Sequence, residues 1–411
     1  MSEQLTSYPK DKINILFLEN LSQSAKIQFE NAGYRNIRTL SGALSEEDLI
    51  KEIKNVHLLG IRSKTQITKR ILENAPKLQA IGCFCIGVNQ VDIDAATKKG
   101  IAVFNAPYSN TRSVAELVLG AAIMLIRRIP DKNSAAHKGI WLKEASNSYE
   151  LRGKTIGIVG YGNIGTQVSI LAEAFGMHVI YYDIVTRLPL GNAQSRKTLE
   201  ELVFEADIVT LHIPDTRQTK NLINANVLSQ FKKGSILINY ARGEVVDVDA
   251  LAEQLKSKRL NGAAIDVFPL EPEKSGDNFI SPLQGLPNVL LTPHIGGSTE
   301  EAQLNIGIDV SQKLFNFLEL GSTNGSHSVP EINLPAQEGT HRILHIHNNI
   351  PGVLSAINSS LSANHINILS QYLKTNEDIG YVVLDIDSAL SAQAFELLKD
   401  IKGTIKVRMV Y

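Results

Sequence analysis

Cysteine is nearly absent from this chain: only Cys83 and Cys85 occur among 411 residues. A disulfide framework is therefore excluded. A single Cys-x-Cys with no further cysteine and no histidine nearby is a poor metal site, so the pair reads as reduced, buried thiols and no metal is expected. Clustered Lys and Arg are also missing, and the net charge is −1. Nucleic acid is excluded as a main partner, since phosphate contacts need a basic surface. Nor does any segment approach the ~18 uninterrupted apolar residues of a membrane-spanning helix. The polar start, Met1 to Lys12, lacks the apolar core of a signal peptide. These absences lead us to expect a cytoplasmic protein with no membrane partner. What is present, 43% hydrophobic and 20% charged residues, suffices for large cores in two or three domains.

The most informative stretch is Lys154-Thr-Ile-Gly-Ile-Val-Gly-Tyr-Gly-Asn-Ile-Gly165. The β-branched run Ile156 to Val159 predicts a buried parallel strand, and a helical pattern follows from Thr166 to Phe175. Between them, Gly160 permits a tight turn, Gly162 lets the backbone approach a pyrophosphate, and Gly165 lets helix and strand pack closely. Such a triplet alone is also compatible with a flexible turn. The context decides for a dinucleotide, because a second strand, His178 to Tyr182, ends in Asp183 about 20 residues on, where a carboxylate would meet a ribose 2′-hydroxyl. That carboxylate would repel a 2′-phosphate, so NAD is expected over NADP despite Arg187.

Upstream, short apolar strands (Ile13 to Leu18, Leu58 to Ile61, Leu78 to Cys83) alternate with helical patterns (Ser22 to Asn31, Thr68 to Asn74). This rhythm predicts a parallel sheet covered on both faces. Arg62, directly after a strand, is placed to clamp an anion or else is a solvated charge. After the strand Ile101 to Asn105, Asn110 precedes a long helix, Ser113 to Ile126; it reads either as a cleft residue or as a helix cap.

Beyond Asp183 the strands Ile208 to His212, Ser235 to Asn239, Ala263 to Val267 and Val289 to Thr292 each run into polar residues. Parallel strands share a carboxyl edge, so His212, Arg242, Asp266, Glu271 and His294 should gather at one crevice. Hydride transfer from a 2-hydroxy acid needs a proton carrier, a cation for the carboxylate and a group that tunes the carrier. His294 suits the first role, Arg242 the second and Glu271 the third. Singly, each also fits a structural role; together at strand ends they point to catalysis.

The segments Asn239-Tyr-Ala-Arg-Gly-Glu-Val-Val-Asp247, Ala264-Ile-Asp-Val-Phe268 and Thr292-Pro-His-Ile-Gly-Gly-Ser-Thr299 resemble the signatures of NAD-dependent D-2-hydroxyacid dehydrogenases. Gly82-Cys-Phe-Cys-Ile-Gly87, Arg62-Ser-Lys-Thr65 and Asn105 to Glu116 narrow the resemblance to the bacterial branch that acts on 3-phospho-D-glycerate. The resemblance covers nearly the whole chain. It implies oxidation of that acid to 3-phosphohydroxypyruvate, the first committed step toward L-serine, with Arg242, Glu271 and His294 catalytic. It places Gly160, Gly162, Asn163, Ile164, Gly165, Asp183, His212, Tyr240, Ala241, Asp266, Ile295, Gly296 and Gly297 around NAD, and Arg62, Ser63 and Asn110 near the substrate. It also implies a Rossmann-type nucleotide domain (108–298) inserted in a flavodoxin-like substrate domain (1–107 and 299–333), the helix Glu300 to Phe317 returning to the latter and the cleft between them closing on substrate.

Ser322 to Ser328, followed by Pro330 and Pro335, reads as a polar linker. From Arg342 the pattern is βαββαβ, which by itself fits a dimerisation module equally well. In this context it resembles an ACT domain (339–411), with His347, Asn349 and Asn367 matching contacts to the effector L-serine, and a homotetramer is implied. Asn348 and Ile350 depart from the acidic residue and arginine of that pattern, and the hinge glycine pair is reduced to Glu338-Gly339. The alternatives are a related dehydrogenase acting on 2-hydroxyglutarate, glycerate or lactate, and a non-enzymatic NADH-sensing scaffold.

Overall fold

The computed structural model describes residues 9–272, 276–336 and 339–410, so Glu338 of the expected hinge pair lies outside the described residues. The chain forms two compact units, Met1–Ser109 with Gln303–Tyr411, and Asn110–Ala302. Among the described residues, no helix is long and apolar enough to cross a membrane.

The first unit holds a parallel sheet of β1 (Asn14–Phe17), β2 (Asn36–Thr39), β3 (Leu58–Ile61), β4 (Ala80–Cys83) and β5 (Ala102–Asn105) in the order β2-β1-β3-β4-β5. This is the flavodoxin-like order. Strand β2 has no counterpart in the sequence reading because it is a polar, mostly exposed edge with no apolar run. The helix Glu46–Ile53 was likewise not expected, although Ser45 caps it by accepting a hydrogen bond from the Asp48 N–H. The long helix Glu300–Phe315 lies against β4: a Cβ on Gly82 would come within 2.9 Å of Val310 and Leu314 side-chain atoms. It continues as a π-helical turn, Asn316–Leu320.

A second, antiparallel sheet completes this unit, with β13 (Thr340–Asn348), β14 (Ile368–Thr375), β15 (Ile379–Asp387) and β16 (Thr404–Val410) in the order β14-β15-β13-β16. Alternation along β13 and β15 gives the sheet two apolar faces. Ile343, Val382, Leu384 and Ile386 pack on the helices Val353–Ala363 and Ser391–Lys399. Leu344, Ile346, Tyr381 and Val383 instead join the core of the N-terminal sheet. Polar contacts fasten the same seam: Tyr381 donates to the Gly321 carbonyl at 2.6 Å, and Lys406 Nζ donates to the Leu78 carbonyl at 2.8 Å. Arg342, ion-paired with Asp385 at 2.6 Å, also donates to the carbonyls of Leu320 and Pro335.

The segment expected as a polar linker is instead packed into the fold. Ser322, Thr323 and Ser328 are buried. Ser328 Oγ donates to the Ile101 carbonyl at 2.6 Å and accepts from the Val103 N–H, while Thr323 Oγ1 donates to the Pro330 carbonyl at 2.7 Å. Its hydroxyls satisfy buried backbone groups, which composition alone does not reveal.

The second unit carries β6 (Thr155–Val159), β7 (His178–Tyr182), β8 (Gln194–Ser195), β9 (Ile208–Leu211), β10 (Ile236–Asn239), β11 (Gly262–Ile265) and β12 (Val289–Leu291). They form one parallel sheet in the order β12-β11-β10-β9-β6-β7-β8. This is the Rossmann order, with its switch point between β6 and β9. The helix after β6 spans Asn163–Ala174 with Gly162 as its N-cap, three residues earlier than the expected start at Thr166. Gly165 thus sits in its first turn, where a Cβ would meet the Gly160 carbonyl oxygen at 2.2 Å; close approach outweighs the low helix propensity of glycine.

Candidate active site

Each glycine of the fingerprint has its own reason. Gly160 has φ +93°, and a Cβ there would strike the His212 carbonyl oxygen at 2.4 Å, so the turn after β6 seats directly on the end of β9. A Cβ on Gly162 would meet nothing within 4 Å, and this open space lies at the amino end of the helix Asn163–Ala174. Asn163 and Ile164 form the first turn of that helix, whose N–H groups suit a pyrophosphate. His212 donates or accepts through Nε2 to Thr210 Oγ1 at 3.0 Å, and burial pushes its pKa down to about 3, which keeps it neutral.

Asp183 lies at the end of β7, beside the glycine turn. Its Oδ2 accepts the Tyr161 N–H at 2.8 Å and its Oδ1 the Val185 N–H at 2.9 Å, while Arg187 Nε stands 3.7 Å away. The sequence reading overlooked the apolar lip that follows, Ile184 and Leu188, 90% and 87% exposed. Exposed aliphatic residues next to Asp183 suit the face of an aromatic ring. Replacing Asp183 with Ser should weaken NAD binding and raise the relative use of NADP, because an acceptor and a repulsive charge are both lost. A kcat/KM ratio for the two cofactors equal to that of the unaltered protein would remove Asp183 from cofactor selection.

At the carboxyl ends of β10, β11 and β12 the expected triad comes together. His294 Nδ1 lies 2.8 Å from Glu271 Oε2, and Glu271 Oε1 accepts the Phe268 N–H at 3.0 Å. The hydrogen bond to Glu271 raises the His294 pKa against partial burial, with further help from the charges of Glu271 and Asp266. Burial pushes Glu271 up, but the bonds from His294 and the Phe268 N–H outweigh it and the net direction is down. Both shifts favour an imidazolium–carboxylate pair.

His294 itself has φ +54°, a conformation unusual for a residue with a side chain. Asp266, buried at the end of β11, holds it there. Its Oδ1 accepts from Thr292 Oγ1 (2.6 Å) and the Ile295 N–H (2.8 Å), its Oδ2 accepts the Gly296 N–H (2.7 Å), and its carbonyl accepts the His294 N–H (2.8 Å). Both carboxylate oxygens are thus committed to the His294–Gly297 turn. Thr292, which the sequence reading did not single out, is part of this brace and also bonds Tyr240.

Arg242 follows Tyr240 and Ala241 beyond β10. Asn239 fixes that loop, accepting the Ala241 N–H at 3.1 Å and donating to the Arg242 carbonyl at 3.0 Å. A Cβ on Gly243 would collide with Phe268 and Pro269 backbone atoms at 2.1–2.6 Å, so the loop bearing Arg242 lies directly against the loop bearing Glu271. The charge of Arg242 acts on both Glu271 and His294. Asn110 occupies the N-cap position of the helix Thr111–Ile126 but makes no cap hydrogen bond, so the capping alternative fails. Its amide packs on Gly297, where a Cβ would meet Nδ2 at 2.1 Å.

Arg62 and Ser63 belong to the first unit, in the turn after β3. Cys83 is buried and Cys85 half-buried, and burial raises both thiol pKa values. His347 is buried, with Nδ1 at 2.8 Å from the Asn348 carbonyl and Nε2 without a partner. Asn349 Nδ2 donates to the Asn376 carbonyl at 2.7 Å, and Asn367 is exposed.

Comparison with known proteins agrees with this chemistry. Residues 119–296 match the family model described as D-isomer specific 2-hydroxyacid dehydrogenase, NAD binding domain, and residues 343–406 match the AHAS small subunit-like ACT domain. The D-3-phosphoglycerate dehydrogenase of Haemophilus influenzae is 52% identical over 405 residues, covering 98% of this chain and 99% of its own. That of Dictyostelium discoideum is 49% identical over 406 residues, covering 99% of each. Among solved structures, a D-lactate dehydrogenase from Sporolactobacillus sp. is similar at 30% identity with a TM-score of 0.67, over 79% of this chain and 100% of that one.

Proposed function

The chain belongs to the D-3-phosphoglycerate dehydrogenases, and on that premise we propose that it oxidises 3-phospho-D-glycerate to 3-phosphohydroxypyruvate with NAD, the first committed step toward L-serine. The observation that carries the reading is the His294–Glu271 pair at 2.8 Å beside Arg242. Appearance of reduced nicotinamide on adding 3-phospho-D-glycerate tests it.

A bound NAD would supply the acceptor for the hydride of the substrate carbon. The first turn of the helix Asn163–Ala174, Asp183 and the His294–Gly297 turn are the groups that would hold it. Glu271 occupies Nδ1 of His294, so Nε2 is the atom that takes the hydroxyl proton during oxidation and returns it during reduction. Arg242 holds the substrate carboxylate with two parallel N–H donors. Arg62 and Ser63 supply a cation and a hydroxyl for the phosphate, and Asn110 an amide for the substrate.

The same reading extends to regulation and assembly. L-serine binds at His347 and Asn349 of one chain and Asn367 of another, and inhibits; the unpartnered, buried Nε2 of His347 supports a ligand there. Strand β14 is an unpaired edge carrying exposed Leu369 and Leu373, which suits pairing with a second copy. Exposed Ile140, Trp141 and Leu142 offer the second unit an apolar contact of its own, and the two together build a homotetramer. The protein works in the cytoplasm.

Asn349→Ala should leave turnover intact and raise the serine concentration for half-inhibition by about tenfold or more. Truncating the chain so that it ends before Thr340 is a poorer test, because that strips Leu344, Ile346 and Tyr381 from a shared core. If millimolar serine neither binds the full protein in calorimetry nor slows it, the C-terminal sheet serves assembly alone.

A further inference from the structure

The turn that carries Arg62 is held from both sides by buried polar side chains. At the end of β1, Glu19 is buried, and Glu19 and Asn20 have φ +62° and +50°, two consecutive left-handed residues that are not glycine. Such backbone persists only where surrounding contacts enforce it, and functional sites are where it collects. The contacts are specific. Glu19 Oε2 accepts the Lys64 N–H at 3.0 Å and Oε1 accepts the Thr65 N–H at 2.8 Å. On the other side of Arg62, the Gln90 side-chain amide donates to the Arg62 carbonyl at 2.7 Å. Gln90 is itself buried, and its carbonyl accepts the Ile67 N–H at 2.7 Å.

Both oxygens of Glu19 are committed to main-chain N–H groups, so the carboxylate shapes the turn and is not spent on the Arg62 guanidinium. We propose that Glu19, assisted by Gln90, is the positioning residue that sets the Arg62-Ser63 turn for the phosphate of the substrate. The proposal rests on the reading of Arg62 as the phosphate ligand. A carboxylate at this place has a definite advantage over a neutral side chain: two adjacent N–H groups need two acceptors, and ionised acceptors bind them about twice as strongly. Glutamine in its place would turn an N–H₂ donor toward one of the two N–H groups and leave that pair repelling.

The test is a comparison, in the reducing direction, of 3-phosphohydroxypyruvate with hydroxypyruvate, which lacks the phosphate. Glu19→Gln in the full-length protein should raise KM for the phosphorylated acid by about tenfold, with kcat changed by less than about twofold. For hydroxypyruvate, kcat/KM should stay within about twofold. Placed in an Arg62→Ala background, Glu19→Gln should add nothing further, because it acts through the arginine. Gln90→Met should give the same phosphate-selective rise, smaller in size, and decides the matter if Glu19→Gln does not fold. Equal losses on both substrates, or a Glu19 effect that persists in full without Arg62, would overturn the assignment. If Arg62→Ala alone leaves KM for the phosphorylated acid unchanged, the phosphate reading of Arg62 fails, and the assignment of Glu19 falls with it.

Discussion

Replacing His294 with Gln should lower turnover by about 100-fold or more while the affinity for NAD changes little. Glutamine approximates the size and polarity of the imidazole but cannot carry a proton between solvent and the substrate hydroxyl. NAD affinity is expected to survive because the turn His294–Gly297 is held through main-chain N–H groups on Asp266, not through the imidazole. The pH dependence gives the same pair a second readout. Oxidation needs the neutral imidazole as base, so its rate rises as pH passes the His294 pKa from below; reduction needs the imidazolium and falls over the same interval. Glu271 raises that pKa. In Glu271→Gln the midpoints of both limbs should therefore move to lower pH. Turnover of the His294 variant within about tenfold of the unaltered protein would remove the imidazole from proton transfer.

Replacing Arg242 with Lys should also cost turnover by about 100-fold or more, although charge is kept. The loop holds its backbone rigidly, through Asn239 on one side and through Gly243 pressed against Phe268 and Pro269 on the other. A lysine there would start from the same fixed main chain, yet its ammonium is a point charge that cannot form two parallel hydrogen bonds to a carboxylate. The loss should appear in both KM for the acid and kcat, since the orientation of the carboxylate sets the reacting carbon. Guanidine hydrochloride added to the medium should not restore it. A variant with kcat/KM reduced by less than about fivefold would show that the planar fork is not required.

Much of this arrangement can be read in residue order. The run Ile156 to Val159, the three glycines and the strand His178 to Tyr182 locate the nucleotide fold because each follows a local rule: buried strands are apolar, tight turns need φ above zero, and close packing excludes a Cβ. The strand ends carrying Arg242, Glu271 and His294 are legible for the same reason, since parallel strands share one edge. Where the reading stopped, the cause was distance along the chain or ambiguity in composition. Nothing in the spacing announces that Glu19 bonds residues 45 and 46 positions later. The hydroxyls of Ser322 to Ser328 look like a loose linker until their carbonyl partners, such as Ile101, come from elsewhere in the fold. Strand β2 is an exposed edge held by pairing to β1 and not by its own apolar content. The brace formed by Asp266 and Thr292 depends on a left-handed histidine, a backbone state that sequence does not display.

The most direct measurement of the central claim is the rate of NADH formation, by nicotinamide absorbance, when the full-length protein and NAD are given 3-phospho-D-glycerate, D-glycerate, D-lactate or D-2-hydroxyglutarate in separate reactions. The account predicts the highest kcat/KM with 3-phospho-D-glycerate and its abolition by His294→Gln. A higher kcat/KM with an acid lacking the phosphate, or no NADH formed from any of the four, would contradict it.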